Sequence, residues 1–77
     1  MVFERIRELI RNQFEVDEAS ITAETHFVND LDADSLDVVE LAMSIEDEFS
    51  IPEITEEDMR EIQTVGDLVD YVVRAME

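Results

Sequence analysis

Apolar side chains in this sequence recur at intervals of three and four in three separate stretches, and that spacing leaves little choice of fold. Val2, Phe3, Ile6, Leu9, Ile10 and Phe14 form one stripe; Val38, Leu41, Ala42, Ile45 and Phe49 a second; Val65, Leu68, Val69, Val72 and Met76 a third. A period near 3.6 places each set on one face of an amphipathic helix. The presence of one Gly and one Pro in 77 residues points the same way, toward long regular elements. On the polar side of the first stripe, Glu4–Arg7 and Glu8–Arg11 face each other and are expected to offset the like-charge pairs Glu4–Glu8 and Arg7–Arg11.

The boundaries are marked by capping chemistry. Asp34, with Asp37 three residues on, opens a helix predicted over 35–49, and Pro52 follows shortly after its end. Thr55 with Asp58, and Thr64 with Asp67, repeat the spacing of a capping box and open a short third helix and a last one. Residues 15–34 carry no sustained period and are rich in Ser, Thr, Asn and Asp, which bond locally to backbone. Ile21, Phe27, Val28 and Leu31 are expected to pin this long loop to the bundle. The expectation is an all-α four-helix bundle of three longer helices and one short one, in a single domain spanning 1–77.

Size and charge narrow the function. A chain of this length buries only roughly 60% of its unfolded surface, so a catalytic pocket would compete with a small core for the same side chains. That favours carrying or binding over catalysis. With no cysteine there is no disulfide, thiolate metal site or cysteine nucleophile. Twenty-two acidic residues face five Arg and no Lys, for a net charge of -17. Such a field repels nucleic acid and anionic membranes and attracts basic partners and divalent cations. No apolar run approaches the roughly 20 residues of a membrane span, and no signal-peptide core is visible. The expected protein is soluble, cytoplasmic, monomeric and not inserted in a membrane.

The second helix carries the feature that its core does not need. Leu36, Glu40, Met43 and Asp47 fall opposite the core face, with Val39 between the two sides. Apolar anchors ringed by acids suit docking into a basic, partly apolar groove. Ser35 stands at the start of the same helix, beside free N–H groups and the positive end of the helix dipole, where a phosphate is well placed. Taken alone, a Ser after an Asp is more often a plain first-turn residue.

The run Asp30-Leu31-Asp32-Ala33-Asp34-Ser35-Leu36-Asp37, with Val39-Glu40-Leu41 and Glu46-Asp47-Glu48-Phe49 after it, resembles the acyl carrier proteins. Phe27-Val28 before the run and Thr64-Val65 after it extend the resemblance over almost the whole chain. It implies a carrier, not an enzyme, with 4′-phosphopantetheine moved from coenzyme A to Ser35 by a separate phosphopantetheinyl transferase. Acyl intermediates would ride as thioesters on that arm to fatty-acid, polyketide or related biosynthetic enzymes with basic patches. Leu36, Val39 and Met43 would supply apolar contacts to those enzymes, and Asp34, Asp37, Glu40 and Asp47 charged ones. Leu41, Ala42, Ile45, Ile62 and Leu68 would line the space for an acyl chain.

The chain departs from the family pattern in two places. Asp32 stands where the family usually has Gly, immediately before Ala33-Asp34-Ser35. The segment 50–55 differs in length, so that either Ile51 or Ile54 can fill the usual apolar position. Other readings stay open: a carrier for aminoacyl or D-alanyl groups, an unmodified helical interaction module, or an acidic protein binding divalent cations. Asp30, Asp32 and Asp34 reproduce the opening of an EF-hand loop, but Ser35 then stands where that loop needs Gly and Leu41 where it needs a bidentate Glu. No specific metal site is expected.

Overall fold

The computed structural model describes residues 2–77. It contains four α-helices: α1 (Val2–Phe14), α2 (Ser35–Phe49), α3 (Glu56–Glu61) and α4 (Val65–Met76), with a 3-10 turn at Glu18–Ser20. The all-α architecture and the long connection between α1 and α2 are those expected from the apolar spacing. Helix α1 packs against both α2 and α4. Ile6 and Ile10 from α1, Leu41, Ala42 and Ile45 from α2, and Val65, Leu68 and Val72 from α4 form the buried core. Ile51 and Ile54 are both buried, so the segment after α2 fills the core with two side chains rather than one.

The caps explain where the helices begin. Asp34 accepts from the Asp37 N–H at 2.9 Å while Asp37 accepts from the Asp34 N–H at 3.2 Å, a reciprocal box at the head of α2. Thr64 and Asp67 form the same box at α4. Backbone donors from Gln63 and Thr64 hold the Asp67 carboxyl below the usual carboxylate range. At α3 the box is half made. Thr55 accepts from the Asp58 N–H, but the Asp58 carboxylate receives the Tyr71 hydroxyl at 3.0 Å instead of turning back to the cap. Helix α2 stops at Ser50, which takes the left-handed conformation (φ 53°); the Ser50 and Ile51 N–H groups both donate to the Glu46 carbonyl.

Three sequence expectations need correcting. Val28 is exposed rather than a pin. The turn over 26–32 is closed by donors from Asp30 and Leu31 to the His26 carbonyl and from Asp32 to the Val28 carbonyl, and this turns Phe27 inward and Val28 out. Met76 is also exposed. At 3.6 residues per turn Ala75 and Met76 lie roughly 50° to either side of the α4 stripe, and it is Ala75 that packs against the core. The Glu4–Arg7 and Glu8–Arg11 pairs are not formed. Arg5 bridges Glu8 and, across to α2, Glu48, while Arg7 lies over the Phe3 ring and reaches Glu18 beyond the end of its own helix. Two of these three pairs reach acids that the tertiary fold brings close, and only Arg5–Glu8 joins residues one turn apart within α1.

The long loop is fastened by backbone as well as by side chains. Phe27 N–H donates to the Gln63 carbonyl, Val65 N–H to Thr25, and Gly66 N–H to Ala23, with an antiparallel bridge between His26 and Thr64. Ile21, Phe27 and Ala33 are buried, as is Thr25, whose hydroxyl accepts from the Thr22 N–H and donates to the Ser20 carbonyl. The loop is thereby held against the entrance of α4, and its far end delivers Asp34 to the head of α2.

Candidate functional site at the head of α2

Ser35 is the first residue of α2 and is exposed. Its hydroxyl makes no hydrogen bond among the described residues, so the oxygen is open to a reagent. The neighbouring cap is fully occupied: each of Asp34 and Asp37 has a carboxylate oxygen on the other's backbone N–H. Val38 N–H donates back to the Asp34 carbonyl. The N–H groups of Ser35 and Leu36 have no partner among the described residues, at the positive end of the α2 dipole.

Asp32 lies three residues before Ser35 and adopts φ 54°. This is left-handed backbone, where Gly is the easiest residue and Asp one of the tolerated ones. The turn that leads into Ser35 therefore keeps the conformation a Gly would give, with an acid in place of the hydrogen. The Asp30 carboxylate accepts from the His26 N–H at 2.8 Å, and Asp34 is committed to its cap. Two of the three acids that imitate an EF-hand opening are thus engaged with backbone donors, and the segment folds as a turn and a cap rather than as an ion loop.

The outward stripe of α2 is where the helical period puts it. Leu36, Val39 and Met43 are 68%, 44% and 62% exposed, high values for apolar side chains on a helix whose other face is buried. Glu40 and Asp47 are exposed and have no partner among the described residues. Asp34 and Asp37 differ, because their carboxylates also hold the helix end. A single acidic stripe thus divides into two acids that shape α2 and two that only decorate it.

Behind Ser35, α2 and α3 enclose apolar space. A groove beside the serine is lined by Val28, Ala33, Asp34, Val38, Val39, Glu56, Met59 and Arg60. Deeper lies a cavity of about 20 Å³, lined by Phe27, Val38, Leu41, Ala42, Ile54, Met59, Ile62 and Leu68; it has room for about one water. Of the residues expected to line acyl space, Leu41, Ala42, Ile62 and Leu68 surround this cavity, whereas Ile45 is packed into the main core away from it. Phe27, Val38, Ile54 and Met59 were not anticipated. Of these, Met59 carried a signal, since with Ile62 it forms an i,i+3 apolar pair in an otherwise charged stretch.

A phosphorylated arm on Ser35 fits what is present: a free hydroxyl, two unpartnered N–H groups, and a neighbouring groove with an apolar floor. The comparisons agree with this chemistry. The family model described as "Phosphopantetheine attachment site" matches residues 4–72. An acyl carrier protein of Lactobacillus acidophilus is 51% identical over 71 residues, covering 92% of this chain and 88% of that protein. Among solved structures, that of the acyl carrier protein from Enterococcus faecalis superposes with a TM-score of 0.81 at 38% identity, covering 96% of this chain and 92% of the other. No helix among the described residues is long and apolar enough to cross a membrane. The chain belongs to the acyl carrier protein family, whose members are carriers rather than enzymes and bear phosphopantetheine as their prosthetic group.

Proposed function

We propose that Ser35 Oγ is the attachment atom for the 4′-phosphopantetheine arm, and that residues 1–77 act as one cytoplasmic, monomeric carrier domain. When bound, the arm supplies the thiol on which acyl groups are held as thioesters, chemistry that a chain without cysteine lacks. The observation that carries this reading is the placement of Ser35: an exposed, unbonded hydroxyl at the first position of a firmly capped helix. Of the other serines, Ser20 and Ser50 lie at turns and Ser44 in the middle of α2, so none stands at a helix entrance.

The chain's own residues divide the remaining work. Asp34 and Asp37 fix the start of α2 and so the direction of the Ser35 side chain. Leu36, Val39 and Met43 dock a partner's apolar groove, and Glu40 and Asp47 meet its Arg and Lys side chains, in the transferase and in the acyl-processing enzymes alike. Leu41, Ala42, Ile62 and Leu68, with Met59, shelter part of the acyl chain. Space for about one water is too little for an alkyl chain, so α3 must shift to admit one.

Incubation with coenzyme A and a broad-specificity phosphopantetheinyl transferase is expected to add the mass of one arm to the wild-type chain and none to Ser35→Ala. No gain in the wild type, or an equal gain in the variant, overturns the assignment. For the docking stripe, Glu40→Arg is expected to slow loading on the order of tenfold at low salt and less at high salt, with an unchanged melting temperature. Loading at the wild-type rate would remove Glu40 from the docking face.

A further inference from the structure

Five arginines are set among 22 acids, and the structure uses them unevenly. Arg5 and Arg7 on α1 are committed to Glu8, Glu48 and Glu18. Arg60 on α3 forms no ion pair among the described residues, although Glu56 lies four residues before it in the orientation that favours pairing. Its side chain instead lines the groove that contains Ser35, Asp34, Val38, Val39 and Met59. It also lines the adjoining groove formed by His26, Phe27, Val28, Asn29, Ile62 and Gln63. Among the described residues, Arg60 is therefore the one cation on the walls of the groove that begins at the proposed attachment serine, and it stands where that groove meets the next.

We propose that Arg60 is a positioning residue that holds the phosphodiester formed at Ser35 and turns the arm along α3. The inference rests on the Ser35 reading. A phosphodiester adds negative charge to a chain already at -17, in a groove whose walls also carry Asp34 and Glu56. The two N–H groups at the head of α2 offset only part of that repulsion. A guanidinium offers a planar fork matched to two phosphate oxygens and binds them with charge-assisted hydrogen bonds. Because Arg60 extends from the helix that carries Met59, an arm held there passes over the Met59–Ile62 wall of the apolar cavity. Without it, the same anion would be driven outward into solvent by its neighbours.

The test uses the loaded chain at low salt, with loading verified by mass, and reads the phosphorus resonance of the phosphodiester by NMR. Arg60→Gln is expected to move that resonance, Arg60→Lys to restore most of the shift, and Arg74→Gln, on α4, to leave it in place. Raised salt should shrink the difference between wild type and Arg60→Gln. A phosphorus resonance unmoved by Arg60→Gln in a fully loaded chain overturns the proposal while leaving Ser35 as the attachment site. Absence of loading in the wild type overturns both.

Discussion

Gly66 is the only glycine in the chain, and it is not used for a turn. Among the described residues the three left-handed positions are held by Glu15, Asp32 and Ser50, while Gly66 lies within α4 without a positive φ. It is needed for proximity: a Cβ there would stand 2.9 Å from the Ala23 carbonyl oxygen, which the Gly66 N–H already engages at 2.8 Å. Gly66→Ala is expected to cost about 1–3 kcal/mol, because the clash is with backbone and not with a flexible side chain. The denaturant midpoint of the variant measures this, and an unchanged midpoint would show that the loop can give way freely. Ser35, Asp34 and the outward α2 stripe were legible from the sequence because period and cap preference act locally. The role of Gly66 was not, since it depends on a loop more than forty residues earlier in the chain. Arg60 was hidden for the same reason: only the packing of α3 beside α2 brings it to the serine's groove.

Among the four α-helices, α3 is the one without a buried residue and the least firmly held. Its Met59 is half-buried. It is fastened by the Thr55 cap, by the Tyr71 hydroxyl on Asp58, and by the Glu46 carboxylate, which takes the Ile54 N–H just before it. Burial together with the Asp58 carboxylate pushes the Tyr71 phenol above its ordinary value, so the hydroxyl stays a donor throughout the neutral range. Tyr71→Phe removes one such tie, worth about 1 kcal/mol. Amide exchange in α3 should then accelerate about fivefold, most readably at Met59 and Ile62, while the buried turns of α1 and α4 change little. Unchanged exchange in α3 would mean that packing of Met59 alone holds the helix. The helix itself was foreseeable from Thr55 and Asp58. The diversion of Asp58 to Tyr71 was not, because the capping-box spacing does not reveal a distant competitor for the same carboxylate.

At the scale of the whole molecule, a net charge of -17 is confined within a radius of gyration of 11.1 Å. Three ion pairs among the described residues do little against it, being largely exposed. Self-repulsion across such a body is screened as the Debye length falls to about 8 Å at physiological salt. Melting temperature is therefore expected to rise from about 0.01 M to about 0.15 M salt, by about 4–8 °C for each kcal/mol recovered. A melting temperature indifferent to salt would contradict that. In the proposed function the same field is what draws basic enzymes to the α2 face, and it is what makes the placement of one arginine beside the groove of Ser35 consequential. The central claim remains the identity of the modified atom. Fragmentation of the loaded chain by tandem mass spectrometry should place the whole added mass on Ser35; finding it on Ser20, Ser44 or Ser50 would contradict the account.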